Sequence, residues 1–194
     1  MKKLFCVMGK SASGKDTIYK KLLERMPELG TATLYTTRPM RDGETDGVEY
    51  FFTTETRLRE LKAEGRIIES RTYETGCGPW TYATVDDGQF DRIEGGCLMI
   101  GTLESYGQLR EYFGPERVVP LYVEVEDGLR FERAMERERQ QRKPNFSEVR
   151  RRYQADQEDF CEEKLSSHGI VTRYENENLE DCLNRMMADI RRSL

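Results

Sequence analysis

The chain has 194 residues, long enough for one domain with a full hydrophobic core. Charged residues make up 35% and hydrophobic residues 37%, and aromatic and β-branched side chains recur throughout, which excludes a disordered chain. A formal charge of -5 excludes a protein built to coat nucleic acid, and no apolar stretch approaches the roughly 20 residues of a membrane span.

"LFCVM", Leu4 to Met8, is a short apolar run that reads as a strand buried on both faces of a parallel sheet. The run is too short for a signal-peptide core, so a cytoplasmic protein is expected. Five cysteines without paired spacing (Cys6, Cys77, Cys97, Cys161 and Cys182) point to reduced thiols, with Cys6 and Cys97 in the core. With His168 as the one histidine, structural zinc is not expected. Ile18, Leu22, Leu23 and Met26 then recur at helical spacing until Pro27 ends the helix.

Residues 34 to about 90 break the rhythm. "GVEYFF", "RIIESRTY" and "WTYATV" are β-like, with a helix-like "TETRLRELKAEG" among them, so a small mixed β insertion is expected. Trp80 is expected to pack. "CLMI" (Cys97 to Ile100) and "VVPLYVEV" (Val118 to Val125) read as further core strands, separated by a helix-like stretch ending near Phe113. Residues 127 to 152 carry nine Lys or Arg against five Asp or Glu and are interrupted at Pro144-Asn145, which predicts helix, turn, helix. "GIVTRY" precedes a last amphipathic helix with Leu179, Leu183, Met186, Met187 and Ile190. Strands alternating with helices give an α/β fold with a mostly parallel sheet.

Two motifs carry chemistry. "MGKSASGKDT" places Gly9, Gly14 and Lys15 nearly as in the phosphate loop G-x-x-x-x-G-K-[ST], between a strand and a helix. Backbone N–H groups of such a loop bind phosphate oxygens, and the lysine reaches the β- and γ-phosphates. Asp16 replaces the hydroxyl expected to meet magnesium; a carboxylate can serve there, or the hydroxyl of Thr17 can. The second motif is "TTRPMRDGETDGVEYFF". Arg38 and Arg41 stand three apart on a stiff loop, two guanidinium forks suited to a second phosphate group, and Tyr50 adds a hydroxyl.

The pattern T-T-R-x-x-R-x-G-E-x-x-G-x-x-Y, met by Thr36, Thr37, Arg38, Arg41, Gly43, Glu44, Gly47 and Tyr50, resembles the monophosphate clamp of the guanylate kinase family. The resemblance implies a P-loop NTPase fold, a three-layer α/β/α core of residues 1–33, 91–135 and 153–194. A monophosphate-binding insertion would span 34–90 and a helical lid 136–152. It implies that ATP is held by Gly9, Ser11, Ala12, Ser13, Gly14, Lys15, Asp16, Thr17 and Asn176, with Mg2+ at Asp16 or Thr17. It implies that the acceptor, GMP, is held by Thr36, Arg38, Arg41, Glu44, Tyr50, Glu69, Tyr82 and Thr84, with Glu69 reading guanine. "TGCGP" then looks like a small insertion. Arg133, Arg137, Val149, Arg152 and Tyr153 match the family's lid, where Arg137 and Arg152 would join Lys15 on the transferring phosphoryl group. Read without the family, the same basic segment is a solvated helix face, with Arg139 and Arg142 turned to water.

The L-D-x-D pattern that the family usually carries after the strand corresponding to "CLMI" is missing: the sequence reads Leu98-Met99-Ile100-Gly101-Thr102, without either carboxylate, and Leu34 stands where a base-reading Ser is expected. Thr102 is left as a neutral base contact, and Asp16 is read as metal-site charge moved to the facing loop. The Gly-Lys-Asp loop and neutral strand end also resemble ribose 1,5-bisphosphate phosphokinase, and guanylate-kinase-like scaffolding domains bind phosphopeptides without chemistry. The leading expectation is an ATP:GMP phosphotransferase, monomer or homodimer, without nucleic-acid or membrane partners. Its glycine-lined and arginine-forked pockets are expected to share one cleft.

Overall fold

The structure is a computed structural model that describes residues 2–75, 78–142 and 144–194. Strand β1 (Leu4–Met8) is apolar and buried at all five positions, and its alternation divides the core in two. Phe5 and Val7 point to one face, where α1 (Lys15–Arg25) contributes Ile18 and Leu22 and α8 (Leu179–Ser193) contributes Cys182, Leu183, Met186 and Ile190. Leu4, Cys6 and Met8 point to the other, against Leu103, Tyr106 and Leu109 of α4 (Leu103–Phe113). Period 2 along the strand and period 3.6 along the helices therefore meet in three layers.

The core sheet runs β2 (Gly30–Thr31), β7 (Cys97–Ile100), β1, β8 (Val118–Glu124), β9 (Arg173–Glu175), with every neighbouring pair parallel. β1 is central, so the loop that follows it opens at the carboxyl edge of the sheet, where ligands of open α/β sheets bind. No helix of the described residues is long and apolar enough to cross a membrane. Burial raises the Cys6 and Cys97 thiols to about 12, as expected of core cysteines. Cys77 lies outside the described residues.

The insertion is a second sheet in the order β4 (Phe51–Phe52), β3 (Tyr35–Thr36), β6 (Gly78–Val85), β5 (Ile67–Thr75). α2 (Glu55–Ala63) covers it with Leu58 and Leu61, packed with Ala83 and Val85. The expected strand "GVEYFF" shrinks to Phe51–Phe52, because Gly47 takes a left-handed φ of 79° and Asp46 bridges Tyr50 in a turn. The proposed "TGCGP" insertion falls at the β5–β6 junction, with Gly76 and Cys77 outside the described residues. Trp80 is half-buried on β6 opposite Tyr73.

The basic segment folds as the expected helix pair, α5 (Asp127–Arg139) and α6 (Phe146–Asp159), wider than the 136–152 lid. Asn145 starts α6, its side chain accepting from the Glu148 N–H at 3.2 Å. Phe131 meets Tyr153 edge-on at 5.1 Å between the two helices. Two short helices, α3 (Gln89–Arg92) and α7 (Glu162–Ser167), complete the elements.

Candidate active site

The loop from Gly9 to Lys15 joins β1 to α1. Gly14 caps the helix with a left-handed φ of 86°, and a Cβ there would collide with the Asn176 side chain. Lys15 is half-buried and Asp16 and Thr17 are exposed in the first turn of α1, where negative charge is favoured. Among the described residues none of these three side chains has a hydrogen bond or ion pair. Ser13 is 1% exposed and its Oγ is buried without a partner. A buried orphan hydroxyl costs free energy, which a phosphate oxygen arriving in the loop would recover. No group of three or more His, Cys, Asp or Glu side chains placed to hold a metal ion occurs among the described residues. Asp16 and Thr17, exposed beside the loop, present a carboxylate and a hydroxyl, both oxygen donors of the kind magnesium takes.

The loop is also held from outside. Asn176 is buried, donates from Nδ2 to the Ser13 carbonyl at 2.8 Å, and accepts at its own backbone carbonyl from Arg133 Nη1 at 3.1 Å. The Asp156 carboxylate accepts from the Ser11 N–H at 2.9 Å and from the Ser11 hydroxyl at 3.2 Å. Arg130, 1% exposed, donates to Asp156 at 2.8 Å, to the Ser11 carbonyl at 3.2 Å and to Asp127 at 2.9 and 3.1 Å. Lys10 Nζ reaches Asp127 at 3.3 Å and the Gln157 side chain at 3.0 Å.

The arginine loop is built around Arg38, which is 4% exposed. Its two terminal nitrogens donate to the two Glu44 oxygens at 2.7 and 3.0 Å, and one also donates to the Pro39 carbonyl at 2.8 Å. The guanidinium lies 5.3 Å from the Tyr50 ring centre and 5.5 Å from that of Phe52. Tyr50 and Tyr82 meet edge-on at 5.6 Å. On the same sheet, buried Glu69 accepts from the Thr84 hydroxyl at 2.6 Å and from Arg71 at 3.1 and 3.4 Å. Ile68 packs into the cluster of Cys6 and Met8, and the charges of Arg71 and Glu69 reach Cys6. The clamp sheet thus stands over the strand that feeds the phosphate loop.

In the lid, Arg137 and Arg152 line a cavity of about 180 Å³ together with Ser11 of the phosphate loop. Arg152 donates to Glu148 at 2.8 Å, and bonds from Arg151 and then Arg152 hold the Glu148 carboxyl down at about 2. Arg137 has no ion pair among the described residues. Arg139 and Arg142 are exposed, as expected.

A family profile described as "Guanylate kinase" matches residues 1–86. A guanylate kinase from Syntrophus aciditrophicus is 30% identical over 184 residues, 92% of this chain and 80% of that one. The chain belongs to the guanylate kinase family. A guanylate kinase from Nostoc sp. is 33% identical over 135 residues, 66% of this chain but only 65% of the relative's length. The crystal structure of guanylate kinase from Anaplasma phagocytophilum shares the fold, with a TM-score of 0.62, 21% identity and coverage of 98% of this chain and 85% of that one.

Within this guanylate kinase family member several of the expected site residues also make structural contacts. Thr36 is fully buried; its hydroxyl donates to the Thr81 carbonyl at 3.0 Å and accepts from the Arg38 N–H at 3.2 Å, so it shapes the clamp from behind. Glu44 grips Arg38 and accepts from the Arg41 N–H at 2.7 Å, which makes it the brace of the arginine loop. Thr102 caps α4, its oxygen accepting from the Ser105 N–H at 3.2 Å. The resemblance puts Asn176 at the adenine end, and its amide nitrogen donates to the loop at Ser13. Sequence reasoning missed Asp127, Arg130, Asp156 and Gln157 altogether. It also missed Arg71, which shares a β5 face with Glu69 and was detectable from the period of two.

Replacing Gly14 with Ala is expected to weaken ATP binding more than about tenfold, because the new methyl meets an unfavourable left-handed backbone and displaces Asn176 from Ser13. Calorimetric titration with ATP checks this, and unchanged affinity would show that the loop tolerates a side chain there.

Proposed function

We propose that this chain transfers the γ-phosphoryl group of Mg-ATP to GMP, giving ADP and GDP. The observation that carries the reading is the arrangement on one sheet of a braced arginine fork and a buried, hydrogen-bonded carboxylate: Arg38 beside Tyr50 and Tyr82, and Glu69 beside Thr84. The fork suits a phosphate monoester. The carboxylate accepts hydrogen bonds, and guanine presents adjacent N–H groups to it.

ATP is held by the backbone of the Gly9–Lys15 loop, by the unpartnered Ser13 hydroxyl and by Lys15, whose type and place in the loop suit the β- and γ-phosphates. Magnesium, when bound through Asp16 or Thr17, neutralises phosphate charge. Arg38, Arg41, Tyr50 and Tyr82 orient the acceptor phosphate. Arg137 and Arg152, which line one cavity with Ser11, stabilise the charge that builds up on the transferring group. The attacking atom is already an anionic phosphate oxygen, so no strong general base is needed, and catalysis is positioning plus charge stabilisation. Lid closure excludes water and suppresses ATP hydrolysis.

One observation favours a second reading. Arg71 neutralises Glu69, and two carboxylates that the family resemblance implies, one at the base and one at the phosphate and metal site, are absent, which suits an acceptor with a second anionic group such as ribose 1,5-bisphosphate. A purely binding role is disfavoured by the intact Lys15 and the orphaned Ser13 hydroxyl. An acceptor panel with Mg-ATP (GMP, dGMP, AMP, UMP, ribose 1,5-bisphosphate) decides. GMP is expected to exceed AMP in kcat/KM by about a hundredfold or more, because adenine lacks the adjacent N–H pair that a carboxylate such as Glu69 accepts, and a site built to hydrogen-bond one base edge discriminates strongly against another. Preference for the sugar bisphosphate would transfer the assignment to the second reading.

A further inference from the structure

Ala12 sits at φ 61°, the one non-glycine residue with a positive φ among the described residues. An L side chain in this left-handed region is strained, and such strain persists only where the surroundings fix the backbone on both sides. Here they do. On one side Asp156 takes the Ser11 N–H and hydroxyl, and Arg130 takes the Ser11 carbonyl. On the other, Asn176 takes the Ser13 carbonyl, and the Ser13 N–H turns back to the Lys10 carbonyl at 3.2 Å.

Asn176 belongs to the core, next to β9. Asp156 and Arg130 belong to the lid helices α6 and α5. Their pair is buried, with Arg130 stacked 4.4 Å from the Tyr153 ring centre and its other nitrogens on Asp127. A buried guanidinium bridging two carboxylates and a loop carbonyl has one geometry that satisfies it, so it fixes the carboxylate that fixes Ser11.

We infer that Asp156, oriented by Arg130, is a positioning residue that holds Ala12 in its left-handed turn and so keeps the phosphate loop open for a nucleoside triphosphate. Without it the Ser11–Ala12 segment relaxes toward ordinary φ, and the backbone N–H groups beyond it lose their common focus. The base of the lid is then part of the phosphate site, and lid motion is confined to the segment beyond the Asp127, Arg130 and Asp156 contacts. The inference rests on the reading that this loop binds ATP.

Glycine adopts a positive φ without strain. If Asp156 acts through Ala12, a glycine at position 12 removes most of the need for it. ATP binding is measured by calorimetry for the wild type, Asp156→Asn, Ala12→Gly and the double variant, with thermal melts to verify folding. Asp156→Asn keeps the shape and is expected to weaken ATP binding about tenfold when Ala12 is present. In the Ala12→Gly background the same change is expected to cost about threefold or less. In steady state the rise should fall on the KM for ATP, with the acceptor KM unchanged. Arg130→Lys keeps the charge but cannot bridge Ser11, Asp127 and Asp156 together; it should show the same dependence on position 12 and serves if Asp156→Asn does not fold. An equal loss in both backgrounds, or no loss, overturns the inference while leaving ATP binding intact. Failure of the wild type to bind ATP overturns the functional reading and the inference with it.

Discussion

Replacing Lys15 with Ala is expected to cut turnover by about a hundred- to a thousandfold while leaving the melting temperature essentially unchanged. The two halves of this expectation have one cause. Lys15 is half-buried at the start of α1 and makes no hydrogen bond or ion pair among the described residues, so the folded state loses nothing specific with it. On the proposed function its ammonium meets charge that arrives with the nucleotide. That charge shifts during transfer, and interactions that strengthen in the transition state lower kcat when removed. Steady-state kinetics with a thermal melt checks both halves. Near-normal turnover would remove the proposed mechanism. A large drop in melting temperature would show that Lys15 has a structural partner instead.

The phosphate loop was legible because its signal is local. An apolar run, two glycines, a lysine and an amphipathic stretch specify strand, turn and helix within about 25 residues, and β1 and α1 form there. Local pattern also singled out the arginine loop, but not what each of its side chains touches. Glu44 sits three residues from Arg41 in any reading; only the fold shows it bracing Arg38 with both oxygens. Thr102 lies at the end of a strand where the family places an acid, and the helix after it recruits its oxygen as a cap. The fastening of the phosphate loop was beyond reach for a different reason. Ser11 and Asp156 are 145 residues apart in the chain, and nothing in a run of lid charges distinguishes an aspartate turned inward from its solvated neighbours. Arg130 was hidden in the same way: the net charge of residues 127–152 reads as a basic surface, yet this guanidinium is among the most buried side chains in the molecule.

Replacing Arg38 with Lys is expected to lower kcat/KM for the acceptor by about a hundredfold, although the charge is kept. Arg38 satisfies two Glu44 oxygens and the Pro39 carbonyl at once and lies against two aromatic rings. A planar fork divides these tasks among its nitrogens and leaves an edge for phosphate. A lysine ammonium is a single point on a flexible stem. It can hold Glu44 or the substrate, and the short reach that suits one withdraws it from the other. Arg41 provides the contrast on the same loop. Its backbone N–H is engaged by Glu44, but its side chain is exposed and makes no hydrogen bond or ion pair among the described residues. Arg41→Lys should therefore cost about tenfold or less, since an exposed cation approaching a phosphate acts mainly through its charge. The KM for ATP should be unaffected by either change, because neither residue lies in the glycine loop. Measuring both variants with the acceptor identified by the panel separates fork geometry from simple charge. Equal losses for the two would mean that the bracing of Arg38 by Glu44 has no bearing on how the acceptor phosphate is held.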